Sequence, residues 1–248
     1  MIAPHLSRRL FAEFLGTALL VTVVVGSGAA AEQLSPSDVG LQLLENSMAT
    51  VFGLTALILM LGPVSGAHLN PVVSLAEWFL ARHGPGGITL PEVGAYSVAQ
   101  VVGGISGALL ANAMFDLGLD LSAKERVTGG HLLAEVVATA GLVALIFALV
   151  RSHRGALAAP AVGAYIGAAY WFTSSTSFAN PAVTVGRIFS DSFAGIAPSS
   201  APAFVAMQLV GLVVGVGITL VLYPDTTTDD GDAEDAVVPH HPQSASSS

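Results

Sequence analysis

Apolar residues in this chain do not alternate with polar ones; they run in long blocks. Six blocks, at about 10–31, 41–61, 93–114, 131–150, 156–175 and 202–223, approach or reach the roughly 20 residues that cross a bilayer as a helix. Two further apolar segments, opened by Asn70-Pro71 and Asn180-Pro181, last only about ten residues, which at 1.5 Å per residue is about half a crossing. Asn is a strong helix N-cap and Pro is tolerated at the first helical position, so each pair reads as a helix start. The pattern predicts an all-α membrane protein of six transmembrane helices plus two half-helices.

The two halves of the pattern repeat. Ala12-Glu13-Phe14-Leu15-Gly16-Thr17 in the first block matches Ala134-Glu135-Val136-Val137-Ala138-Thr139 in the fourth, and Gln100-Val101-Val102-Gly103 matches Gln208-Leu209-Val210-Gly211. Three crossings per copy turn the second copy upside down, so the half-helices enter from opposite faces as two inverted repeats. The predicted division is an N-terminal segment 1–9, a membrane domain 10–223 (repeat one about 10–114, repeat two about 131–223) and a tail 224–248. Counting basic residues in the loops puts Arg8, Arg9, Arg82, Arg151 and Arg154 in the cytoplasm and Lys124, Arg126 and Arg187 outside, with both termini inside. Gly103, Gly104, Gly107, Gly211 and Gly215 are expected to let helices approach closely.

Composition agrees: 53% of the 248 residues are hydrophobic, 10% are charged and the mean hydropathy is +0.72. The first apolar run is long enough to remain as an anchor, so no removable signal peptide is expected. Cysteine is absent, which excludes disulfides, thiolate metal sites and a cysteine nucleophile. The net charge of −9 argues against a nucleic-acid partner, and much of it lies in the tail, at Asp225, Asp229, Asp230, Asp232, Glu234 and Asp235. Too polar to order itself, that tail reads as a solvated disordered end; a metal-binding or docking role for His240 and His241 is the alternative. No nucleophile–base pair or metal cluster emerges, so neither an enzyme nor a cofactor is expected.

A helix that starts inside a membrane must bury its free N–H groups in protein or turn them to water. Two such starts, meeting from opposite sides, would set the Asn70 and Asn180 amides and two positive helix ends around one point near the bilayer middle. Amides there could replace the hydration of a passing solute, and the helix ends would repel cations.

Ser65-Gly66-Ala67-His68-Leu69-Asn70-Pro71-Val72 and Ser177-Phe178-Ala179-Asn180-Pro181-Ala182 resemble the paired Asn-Pro-Ala boxes of the major intrinsic protein family, the aquaporins and glycerol facilitators. The resemblance covers about residues 8 to 223 and implies a passive channel for small neutral solutes, built as a homotetramer with one pore per subunit, in the plasma (inner) membrane. In that family, glutamates such as Glu13 and Glu135 brace the non-helical backbone before each box; a proton relay is the other role open to an intramembrane carboxylate. Gln100 and Gln208 are expected as hydrogen-bond partners between helices. His68 falls, by the resemblance, near the cytoplasmic half of the pore, or serves to brace its loop.

One departure stands out. Most members carry an arginine after the second box, where it narrows and charges the outer constriction; here that residue is Val183, with Val73 at the matching place in the first box. Aligning to that arginine puts the remaining filter positions at Ser177, Ala168 and Phe52, with Thr50 as a rival to Phe52. Ala168 stands where water-selective members have a large histidine. The filter is thus expected to be wide and uncharged. Valine at this place also resembles a bacterial branch associated with arsenic resistance, implying neutral arsenite and methylated arsenicals as cargo, with glycerol and water next. Arg187, four residues after Val183 and so on nearly the same helix face, either reaches back over the outer vestibule, or snorkels to headgroups or pairs with Asp191. Two other function classes stay open: an ion-coupled transporter, which would need an ionisable coupling group, and a closed-pore structural protein.

Overall fold

The computed structural model describes residues 4–81 and 87–224; Arg82 and the acidic tail, with His240 and His241, lie outside the described residues. Six helices among the described residues are long and apolar enough to cross a membrane. They are α1 (Leu6–Leu34), α2 (Val39–Ser65), α4 (Leu90–Met114), α5 (Gly129–Arg151), α6 (Ala158–Phe172, with a 3-10 turn Gly155–Leu157 before it) and α8 (Ala201–Leu222). Two short helices, α3 (Pro71–Ala81) and α7 (Pro181–Gly186, continued by a 3-10 turn Arg187–Phe189), complete the set. At standard rise, α3 is about 16 Å long and α7 with its turn about 15 Å, so neither spans a hydrocarbon core of about 30 Å.

The helix ends follow local chemistry. Asp38 caps α2 by accepting from Leu41 N at 2.9 Å, and Thr128 caps α5 by accepting from His131 N at 3.1 Å. Thr89 and Glu92 form a capping box on α4. α2 ends at Gly66, whose φ of 88° suits a residue without a Cβ.

The repeat is visible in the packing, α1 lying along α4 and α5 along α8. Both pairs are close because of glycine. A Cβ on Gly107 would stand 2.1 Å from Ala18 O, and one on Gly215 would stand 2.7 Å from Ala140 O. α5 is the third span after α1, so it runs the opposite way and Glu135 enters upside down relative to Glu13. Each repeat's half-helix then runs from mid-structure back toward an end: α3 toward the end that holds Leu6 and Leu222, α7 toward the opposite, far end. The extended segment between α4 and α5 folds over α7 there, through Ser122 N donating to Ile188 O and Ala197 N donating to Lys124 O, both at 2.8 Å.

Candidate functional site: two half-helix tips and the cavity beside them

The tips of α3 and α7 touch. Asn70 Nδ2 donates to Ala179 O at 2.8 Å and Asn180 Nδ2 donates to Leu69 O at 2.7 Å, so each asparagine clasps the backbone preceding the other. Their other amide atoms are caps, Asn70 Oδ1 accepting from Val72 N and Asn180 Oδ1 from Ala182 N and Val183 N. Pro71 and Pro181 then open the helices without wasting a donor.

The loops entering the tips share an unusual backbone. Ala67, Leu69, Ser177 and Ala179 have φ of 48°, 51°, 52° and 47°, a left-handed region that costs a side-chain-bearing residue energy. Two buried carboxylates hold this shape. Glu13 accepts from Ser65 Oγ (2.5 Å), His68 N (3.0 Å), Leu69 N (2.7 Å) and Gln100 Nε2 (2.7 Å). Glu135 accepts from Ser175 Oγ (2.6 Å), Phe178 N (3.0 Å), Ala179 N (2.9 Å) and Gln208 Nε2 (2.7 Å). Both are 0% exposed, and each meets four donors, the complement of a carboxylate.

Beside the tips runs a cavity of about 600 Å³. Leu20, Val24, Leu142, Val162 and Ile166 make its apolar side; Asn70, Asn180, Ser177, Thr50, Tyr170 and His68 supply polar atoms. It reaches from Gly155 and Ala156, near the terminal end, to Arg187 near the far end. Val73 and Val183 both stand on its wall. His68 Nδ1 pairs with Ser74 Oγ at 2.9 Å, and its Nε2 lies 2.5 Å from a Glu77 carboxylate oxygen.

Two expected wall residues are elsewhere. Phe52 is 64% exposed on the outside of α2, and the cavity position is taken by its rival Thr50. Ala168 is exposed on α6, while Ile166 and Tyr170 face the cavity. The cause is helical register, since a two-residue error turns a side chain about 200° around the axis. Tyr170, whose hydroxyl lies 3.1 Å from Thr50 Oγ1, and Glu77 were not anticipated. Glu77 could have been, by the same rule that flags an intramembrane carboxylate.

Arg187 does not snorkel or pair with Asp191. It is 2% exposed, its Nε donates to Ala194 O, and its guanidinium carbon sits 3.5 Å from the Phe178 ring centroid. Asp191 instead accepts from Ala123 N at 3.0 Å. Arg126 shares the Phe178 ring at 5.2 Å and donates to Gly195 O and Phe193 O, and Lys124 Nζ donates to the same Phe193 O. Burial, with the Arg126 and Arg187 charges adding to it, pushes the Lys124 ammonium down to about 8.

Six apolar spans, two touching half-helices and a cavity along the contact define an integral multi-pass membrane protein of inverted-repeat design. The family model described as major intrinsic protein matches residues 2–177, and the chain belongs to that family. The chain is 49% identical over 214 residues to aquaglyceroporin AqpS of Rhizobium meliloti (strain 1021), covering 86% of this chain and 89% of that one. It is 32% identical over 188 residues to the glycerol uptake facilitator protein of Pseudomonas aeruginosa, covering 66% and 64%. The X-ray structure of the aquaglyceroporin from Plasmodium falciparum superposes with a TM-score of 0.63 over 88% of this chain and 96% of that one, at 21% identity, a likeness of fold.

Proposed function

We propose that the protein is a passive channel for small neutral solutes, with water and glycerol permeant and with arsenite-type metalloid hydroxides and methylated arsenicals as its particular cargo. The broad part of this reading is supported by family membership and by the aquaglyceroporin and glycerol facilitator relatives. The narrower part is carried by one observation: Val183, on the cavity wall one residue past the second box, offers no charge and little bulk where a guanidinium would narrow the passage.

A solute entering the cavity slides along its apolar side and meets the asparagine pair at the contact of the tips. Each Nδ2 gives one hydrogen to the clasp, leaving a second available to a solute oxygen. Two converging helix N-termini, each roughly half a positive charge, disfavour cations at the same place. Uptake is read as downhill: Glu13 and Glu135 are fully occupied by backbone and side-chain donors and serve as braces, and the cavity-wall carboxylate of Glu77 is held by His68 Nε2 at 2.5 Å. The proposal includes Ser177, Val183, Thr50 and Tyr170 as the wall near the outer mouth, a homotetramer, a plasma-membrane location with both termini cytoplasmic, and the division 1–9, 10–223 and 224–248.

A general water and glycerol facilitator is the second reading, favoured by the likeness to the Pseudomonas aeruginosa glycerol protein. Stopped-flow light scattering on proteoliposomes, comparing water, glycerol and arsenite, separates the two. Val183→Arg is expected to lower glycerol and arsenite flux at least tenfold while sparing water. A wild type that passes only water ends the wide-passage reading, and accumulation driven by a proton gradient ends the passive one.

A further inference from the structure

Arg187 carries an obligation that its surroundings leave unmet. A buried guanidinium is costly unless paired or well hydrogen-bonded. Among the described residues no carboxylate lies within ion-pair distance of it, and its one hydrogen bond on the protein runs from Nε to Ala194 O. The acids of this end are engaged elsewhere: Glu135 with its four donors, Asp191 with Ala123 N, Glu32 with Phe193 N, and Glu125 with Ser199 and Ser200. The Phe178 ring holds the flat face of the group, yet among the described residues neither Nη has a protein acceptor, and the side chain lines the cavity. Ser177 Oγ, also on that wall, is buried with no partner at all.

We infer that Arg187 is a selectivity residue for this cavity: a fixed charge that turns cations away and a pair of Nη donors, with Ser177 Oγ beside them, that takes the oxygens of a neutral polyhydroxylated solute. Its position separates two tasks. Arg187 stands about one helical turn beyond Val183, roughly 5.4 Å along the axis, so the charge is kept while the passage at Val183 stays broad. Ala194 O and the Phe178 ring fix the guanidinium before any solute arrives, so the charge acts without rearrangement. The inference deepens the channel reading and rests on it.

The test uses full-length protein in proteoliposomes and reads two fluxes from one preparation: glycerol by light scattering and potassium leak by a potential-sensitive dye. Arg187→Met is expected to raise the potassium-to-glycerol permeability ratio at least tenfold, and Arg187→Lys to return it to within about threefold of wild type. The double variant Val183→Arg with Arg187→Met moves the charge one turn inward and should restore potassium exclusion while losing glycerol. Should Arg187→Met fail to insert, Phe178→Leu, which removes the ring beneath the guanidinium, should raise the ratio in the same sense. A wild-type ratio in Arg187→Met, or in Phe178→Leu if that is the variant obtained, overturns the inference. Wild-type protein that passes neither water nor glycerol overturns the channel reading instead, a different result from a changed ratio.

Discussion

Replacing Glu135 by glutamine changes one oxygen for one amide and leaves shape untouched, yet the geometry predicts a large effect. The loop it holds contains Thr176, Ser177 and Ala179 at φ of 62°, 52° and 47°. At roughly 1 to 2 kcal/mol for each non-glycine residue in that region, the loop resists its own shape by about 3 to 6 kcal/mol. Against this stand four hydrogen bonds to a carboxylate, about 1.5 to 3 kcal/mol each and so about 6 to 12 together. Glutamine has one acceptor oxygen and an NH2 group. Whichever way the amide turns, one edge presents hydrogens to donors 2.6 to 3.0 Å away. About half the holding energy goes, and the margin over the strain falls to near zero. Glu135→Gln should therefore lower glycerol flux at least tenfold and reduce the thermal midpoint of the detergent-solubilised protein, with Glu13→Gln behaving alike at the first loop. Stopped-flow measurement and a thermal size-exclusion assay read both. Wild-type flux and midpoint in Glu135→Gln would refute the account of carboxylates restraining a strained backbone.

Asn70→Asp puts an oxygen against Ala179 O where an N–H now donates, and should cost flux and stability together, read in the same two assays. Gly107→Ala forces a methyl to 2.1 Å from Ala18 O and should destabilise by about 1 to 3 kcal/mol, whereas Gly94→Ala, with nothing within 4 Å, should be neutral or slightly stabilising. Thermal midpoints of the two variants make the comparison. Lys124 is the single lysine of the sequence, and with its ammonium pushed down to about 8 it loses its proton well below the ordinary lysine range. Acylation by a membrane-impermeant amine reagent, followed by mass spectrometry, should therefore rise through a midpoint near pH 8, and under the proposed orientation it should occur from the outer side of intact cells. Arg187→Met should move that midpoint upward, because it removes one of the charges that favour the neutral amine.

Much of this site was legible because a duplicated membrane chain writes its features twice. The Asn-Pro pairs, Glu13 with Glu135 and Gln100 with Gln208 are matched by position, and the structure joins each set around a half-helix tip. Phe52 and Ala168 went astray for a physical reason. Loop lengths before Asn70 and Asn180 carry no mark of helical phase, and a shift of two residues exchanges the cavity face for the outside. The left-handed backbone at Ala67 and Leu69 was equally invisible, since alanine and leucine do not favour it and its supports, chiefly the distant Glu13 with Ser65 and Asn180, are set by tertiary contact. Arg187 illustrates the same limit. Spacing put it on the face of Val183, but the carbonyl of Ala194 and the ring of Phe178 that bury it come from a loop and a turn whose approach no periodicity encodes.

The mutual clasp of Asn70 and Asn180 has a consequence for how the chain is made. Its two contacts join residues 109 and 111 positions apart, so the first asparagine leaves the ribosome long before its acceptor exists. Until Ala179 arrives, the upstream loop is held by Glu13 and by contacts within the first repeat, Ala67 N with Ser65 Oγ and His68 with Ser74, but the Asn70 amide lacks its acceptor. Two separately synthesised halves, cut between α4 and α5, should mature only in each other's company.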